Sequence, residues 1–161
     1  MSLKILIVGI LFFSMVFAKP SIQNFKAQNL NFKTISFDEI KGEKITLIDF
    51  WATWCTPCIQ AIPKLNILRE KYMDKGVEVV GINTDSPRNS AKVMPFVKTY
   101  KMEYPVLRDP NSKLARMLNV SAYPTLFIIN NQNEIIYTHT GFKIGDEKII
   151  EQEIIKLLDD K

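Results

Sequence analysis

The chain has 161 residues, enough for one ordinary domain with a single core and too few for two well-packed ones. Hydrophobic residues make up 47% and charged residues 24%, with 6 Gly, 8 Pro and 2 Cys, which excludes disordered, collagenous and disulfide-dense classes. The formal charge is +4, but the 21 Lys and Arg residues are scattered from Lys4 to Lys161 without a basic tract, so no nucleic-acid partner is expected.

Met1–Lys4 carries one positive charge and is followed by an uncharged apolar run, Ile5–Ala18. About 14 residues give roughly 21 Å of helix, short of the roughly 30 Å hydrocarbon core, so residues 1–18 read as an export signal peptide. Cleavage after Ala18 is expected, with an uncleaved anchor as the alternative. The domain would then be 19–161, periplasmic or on the outer face of the membrane. From Phe25 to Ile40 the pattern is weak and fits a short hairpin and a turn. Ile45–Trp51 (ITLIDFW) is nearly continuous in apolar residues and reads as a central strand buried on both faces. Ile59, Ile62, Leu65, Leu68 and Tyr72 then repeat at helical spacing until Gly76 supplies a stop. Val77–Ile82 is a second buried strand, and a helix between two buried strands implies a right-handed parallel crossover.

Val93, Phe96, Val97 and Tyr100 predict another helix, with Ser90 a candidate N-cap and Pro95 forcing a late start or a kink. A short strand is expected at Val106–Leu107 and a short helix at Ser112–Leu118. Thr125–Ile129 and Glu134–Thr140 flank the polar turn Asn130–Asn133, a hairpin. Ile150, Ile154, Leu157 and Leu158 mark a terminal amphipathic helix. The fold class is therefore α/β, with a central mixed sheet flanked by helices.

Cys55-Thr56-Pro57-Cys58 stands where the first strand gives way to the first helix. A structural zinc site needs four ligands, and two thiols with a distant His139 fall short, so no metal is expected. A purely structural disulfide would close so small a loop that its entropic gain is minimal. A redox-active dithiol is the expected reading. Cys55 would face the unpaired N–H groups and positive dipole end of the helix, which favours its thiolate and makes it the attacking sulfur. Cys58, one turn in, would be the resolving thiol. Pro57 lacks an N–H that its position does not need and fixes φ. Asp49 lies mid-strand among apolar residues, where burial would raise its pKa and make it a proton acceptor and donor for Cys58. The other reading places it half-solvated at the strand's end.

The segment Asp49–Cys58, D-F-W-A-x-W-C-x-P-C, resembles the active-site segment of the thioredoxin superfamily. Pro63 matches that family's helix-kinking proline, and Ala122-Tyr123-Pro124-Thr125 resembles its cis-proline loop. The resemblance implies a thioredoxin fold, Pro124 as a cis-proline facing the cysteines, Tyr123 as a substrate-facing residue, Gly141 flanking the same groove and Trp54 at its rim. The N-terminal extension and an insertion between about Thr84 and Met117 resemble the TlpA/ResA-type branch of exported thiol-disulfide oxidoreductases, many of which keep partner cysteines reduced for cytochrome c assembly. Those assembly reductases typically carry glutamate three residues after the second cysteine; Ala61 stands there in this chain.

The resulting expectation is an exported enzyme that exchanges a Cys55–Cys58 dithiol with protein thiols and disulfides, chiefly as a reductase. It would work as a monomer, without a small-molecule cofactor, and draw electrons from an exported or membrane thiol donor. Thiol peroxidases on a related fold place Pro and Thr or Ser seven and three residues before their cysteine, where this chain has Ile48 and Ala52. A copper-delivery module resembling the Sco type would need three residues between the cysteines, and a non-catalytic peptide-binding domain would not need both thiols. Trp51 is assigned to the core, His139 to an ordinary strand position, and Met94, Met102 and Met117 to core filling.

Overall fold

The structure, a computed structural model, describes residues 19–159. The expected export segment lies outside the described residues. Among the described residues no helix is long and apolar enough to cross a membrane.

The chain begins with a hairpin, β1 (Lys26–Asn29) and β2 (Thr34–Ser36). Then follow β3 (Ile45–Trp51), α1 (Thr56–Tyr72), β4 (Val77–Asn83), α2 (Ser90–Thr99), β5 (Val106–Arg108), α3 (Lys113–Met117), β6 (Thr125–Asn130), β7 (Ile135–Thr140) and α4 (Asp146–Asp159). One seven-stranded sheet runs β2-β1-β5-β4-β3-β6-β7. β3, β4 and β5 are mutually parallel; β6 runs antiparallel to β3, β7 to β6, and β1 to β5. Among the described residues the N-terminal hairpin therefore reaches the sheet through β5, a strand that the central insertion itself supplies.

β3 lies between β4 and β6 and is buried on both faces, which accounts for its unbroken apolar run. Its odd-numbered residues Ile45, Leu47 and Trp51 pack under α1, α2 and α4, against Leu65, Leu68, Val93 and Ile154. Its even-numbered residues Ile48 and Phe50 face α3 and the N-terminal segment, against Leu114, Phe127 and Phe37. Asp49 is the odd residue between Leu47 and Trp51, so its carboxyl is carried to the face that α1 covers. α1 is fixed to β4 by a bidentate pair in which Arg69 Nε and Nη2 donate to Glu78 at 2.5 and 3.1 Å. It is held to α4 where Lys71 and Tyr72 both donate to Glu151. The turn after α1 ends at Gly76, whose φ of +86° is left-handed.

Three expectations are corrected. Asn89 and not Ser90 occupies the N-cap of α2, without a side-chain cap bond, because Ser90 Oγ is engaged by Arg108. A 3₁₀ turn at Pro87–Asn89 leads directly into α2, so the helix does not start late and Pro95 lies inside it. Met117 is 47% exposed and Met94 half-buried; only Met102 is a core filler.

Candidate active site

The chain leaves β3 at Trp51 and turns through Ala52–Trp54 into α1. Cys55 N–H donates to Ala52 O at 3.1 Å, closing that turn. Cys55 is the N-cap of α1, with extended backbone (φ −88°, ψ 100°), and its Sγ accepts from Cys58 N–H at 3.2 Å. A sulfur thus occupies the position where a capping oxygen usually answers the unpaired amides of a helix. Pro57 sits in the first turn, where a missing N–H leaves no bond unmade. The Cys55 and Cys58 sulfurs are bonded to each other, with Cα atoms 5.3 Å apart. Both residues are buried, Cys58 completely.

The loop ahead of Cys55 is held by Asp85, which the sequence reading did not single out. Its buried carboxylate accepts from Thr53 N–H at 2.7 Å, Thr53 Oγ1 at 2.8 Å and Asn83 Nδ2 at 2.8 Å. The signal was available: Thr84-Asp85 directly follows Asn83, the last residue of β4, where the parallel strands end, the edge that positions loops in open α/β sheets. Thr84 adds to the lock, since its N–H and Oγ1 both donate to Trp51 O.

Asp49 is 1% exposed, and its Oδ2 has no hydrogen-bond donor among the described residues. The half-solvated alternative is therefore excluded. Burial pushes its carboxyl up to about 7 from an ordinary value of 3.8. Two more polar atoms on this face are also buried without a partner among the described residues, Trp51 Nε1 and Tyr104 OH. Burial, and then the negative charge of Asp49, push the Tyr104 phenol upward. Gly81, paired with Asp49 across β3 and β4, makes the crowding possible: a Cβ there would stand 3.0 Å from Trp51 Nε1 and 3.2 Å from Tyr104 Cε2. Asp49 and Ala61 wall the same small cavity. Because Ala61 lies one turn beyond Cys58 on the same helix face, the carboxyl stands beneath the side of α1 that carries the inner cysteine.

Across the groove, the Tyr123–Pro124 bond is cis. Trp54 is 64% exposed, and its ring meets that of Tyr123 edge-on with centroids 5.7 Å apart. Gly141 N–H donates to Pro124 O at 2.8 Å and has φ +82°, a conformation that selects glycine. Its hydrogen faces open space. The structure thus gathers Trp54, Tyr123, Pro124 and Gly141 around the end of the sheet where the cysteines lie. A surface cleft of about 640 Å³ lies at the opposite end, between Lys44, Asn130 and Gln132.

His139 is more than an ordinary strand residue. Its Nε2 lies 3.0 Å from Oδ2 of Asp146, the first residue of α4, and its ring shares a cavity wall with Asp49. Burial works against the charge of Asp146, but hydrogen bonds from Lys143 N–H and His139 outweigh it and hold the carboxyl below its usual range. The partner sits seven residues away across a loop, beyond the reach of any strand periodicity.

A mixed sheet with a cis-proline loop facing a cysteine-capped helix defines a thioredoxin-fold protein with a disulfide-forming C-x-x-C pair. Residues 19–138 match the AhpC/TSA family, and the chain belongs to that family, within its branch of relatives named for thiol-disulfide exchange. It is 34% identical over 113 residues to thiol-disulfide oxidoreductase ResA of Bacillus cereus, covering 70% of this chain and 64% of that protein. It is 31% identical over 157 residues to ResA of Halalkalibacterium halodurans, covering 92% and 86%. The chain spans just under two thirds of the length of several of the ResA proteins that it matches. Among solved structures, a Chlorobium tepidum protein provisionally named thiol:disulfide interchange protein DsbE superposes with a TM-score of 0.79 at 30% identity, over 87% of this chain and 96% of that one. The exposed lipoprotein thioredoxin of Streptococcus pneumoniae does so with a TM-score of 0.67 at 25% identity, over 86% and 100%.

Proposed function

We propose that this chain is an exported thiol-disulfide oxidoreductase that acts on protein partners, chiefly as a reductase, with Cys55 attacking, Cys58 resolving and Asp49 moving the proton. The observation that carries the reading is the Cys55–Cys58 pair itself, one sulfur capping α1 and the other wholly buried one turn deeper on the side of Asp49. In the reductive direction, Cys55 thiolate attacks one sulfur of a partner disulfide, and the other partner sulfur leaves as thiolate and takes up a proton from solvent. Cys58 then passes its proton to the Asp49 carboxylate and attacks Cys55 Sγ; the remaining partner sulfur leaves and takes up a proton. The partner gains two electrons and two thiols, and the Cys55–Cys58 pair is left oxidised. An exported or membrane dithiol must reduce it again. Trp54 and Tyr123 form the apolar rim that a partner segment meets, with Pro124 and Gly141 supplying the backbone beside it.

Residues 1–18 as an export signal and 19–161 as the working domain belong to the same proposal, supported by the short apolar run and by a structural relative named as an exposed lipoprotein. A Cys58→Ser variant, incubated with extract from its own host compartment, should accumulate dithiothreitol-sensitive partner adducts through Cys55. The double variant Cys55→Ser/Cys58→Ser should accumulate none. No adducts from the single variant, together with no insulin reduction by the native protein, would sink the proposal.

A further inference from the structure

Asp49 on β3 pairs directly with Leu126 on β6, and Leu126 pairs directly with His139 on β7. Directly opposed residues on antiparallel strands project to the same face, so carboxyl and imidazole stand on one face of one cross-strand row. Two strand spacings of about 4.8 Å put their Cα atoms roughly 10 Å apart. Both residues line a cavity of about 10 Å³, whose walls also include Leu126, the residue between them in the row, and Ala61 of α1. That is about the room one water needs. It exists because position 61 carries a methyl group; a longer side chain at this point of α1 would fill it. One wall is Asp49, whose Oδ2 is buried and without a donor among the described residues. Another is His139, whose Nε2 is engaged by Asp146 at 3.0 Å, while Nδ1 has only a long 3.4 Å approach to Tyr137 OH. The Asp146 carboxylate selects the tautomer protonated on Nε2 and leaves the Nδ1 lone pair able to accept.

We propose that His139 is the proton relay for Asp49, carrying its proton from the buried cavity to solvent between the two halves of the exchange reaction. The proposal rests on the oxidoreductase reading above and deepens it. Once the mixed disulfide has formed, Asp49 must be a carboxylate before Cys58 thiol can give it a proton and the thiolate can attack Cys55 Sγ, so a protonated Asp49 has first to be emptied. The Asp49 carboxylic acid passes a proton through one water to neutral His139. The imidazolium, held against the Asp146 carboxylate, then loses that proton to bulk water, and Asp49 returns to its anionic form. No electrons move in the relay. The titratable groups facing this row are Cys58 from α1, Tyr104 from the segment before β5, Tyr137 beside His139 on β7, and Asp146 from α4. Of these, only Asp146 bonds the imidazole closely.

The test is stopped-flow oxidation of the reduced protein by increasing 2-hydroxyethyl disulfide. The low-concentration slope reports attack by Cys55, and the plateau reports the Cys58 step. His139→Gln, which keeps an amide donor toward Asp146, should lower the plateau by about tenfold, the low end of what a lost proton-transfer group costs, well short of full removal. The slope should stay within about twofold, since Cys55 attack needs no relay. In His139→Ala, added imidazole should restore the plateau in proportion to its free-base concentration, and it should do nothing in Asp49→Asn/His139→Ala. An unchanged plateau, a parallel fall in slope and plateau, or no imidazole rescue would overturn the relay. A native protein with no measurable slope would instead overturn the oxidoreductase reading beneath it.

Discussion

Asp49→Asn should make the oxidised protein more stable, and by an amount that depends on pH. The carboxyl sits near 7 in the folded chain against 3.8 when freely hydrated, and burial is the cause. Between those values the folded protein holds a proton that the unfolded chain has released, so stability falls as pH rises through this window. A difference of about 3 pH units at 1.36 kcal/mol each gives a loss of about 4 kcal/mol by pH 8, an upper figure because water penetration and relaxation soften it. Asparagine fills the same space without the charge and removes that loss. Urea unfolding of both proteins at pH 4 and pH 8, with the disulfide intact, should give nearly equal midpoints at the lower pH and a clear advantage for the variant at the higher one. Asp146, Glu147 and Glu151 have lowered values and impose the opposite slope, with stability lost as pH falls through their folded values. They are common to both proteins and cancel in the difference. A constant offset across the range, or a variant less stable at pH 8, would refute the buried-charge argument. The same variant should slow the Cys58 step, because the amide accepts no proton from the thiol.

Gly81→Ala should cost about 1–3 kcal/mol, since the new Cβ lands 3.0 Å from Trp51 Nε1 and 3.2 Å from Tyr104 Cε2 in a packed layer; an unchanged thermal midpoint would show that the layer yields. Asp85→Ala leaves three donors from Thr53 and Asn83 without their acceptor, a loss of about 2–4 kcal/mol. Faster hydrogen exchange at the Thr53 amide should accompany it, and unaltered protection there would mean that the loop is held by something else. Trp54→Ala should leave stability within about 0.5 kcal/mol because the ring is mostly exposed. It should raise the KM for insulin severalfold without changing the rate with 2-hydroxyethyl disulfide; equal effects on both substrates would place Trp54 in the chemistry instead of in binding.

Most of the scaffold was legible because its signals are local. Ile45–Trp51 reads as a central strand because both of its faces are buried, and the cysteine pair marks the helix start because sulfur takes the cap position. The errors arose where tertiary partners override local pattern. Ser90 has the composition of an N-cap, but Arg108 from β5 claims its hydroxyl. Met117, read as core filling from its type alone, is the last residue of the five-residue helix α3 and is exposed, while Leu114 and Ala115 are the buried residues of that helix. His139 looked ordinary because its partner Asp146 follows a loop, and its neighbour Asp49 is two strands away across the sheet. Asp85 was passed over because its one local mark is its place just after β4, while two of the donors that give it a role come from Thr53, 32 residues away.

The feature that weakens the fold is the one that equips the site. A carboxyl with an ordinary value near 4 would stay ionised at neutral pH and could accept a proton from Cys58 only with a large energetic penalty, because its conjugate acid would be far stronger than a thiol. Near 7, Asp49 is close to balanced between its two forms, and transfer from the thiol becomes less uphill by about as much as burial costs the folded state. Burial alone would also isolate the proton once it arrived. Asp49, Ala61 and His139 line one small space, and the relay proposed above would use it to answer that difficulty. Filling that space through Ala61→Leu should therefore slow the Cys58 step while leaving Cys55 attack intact. Equal rates in the two proteins would mean that protons reach Asp49 from the cysteine side alone.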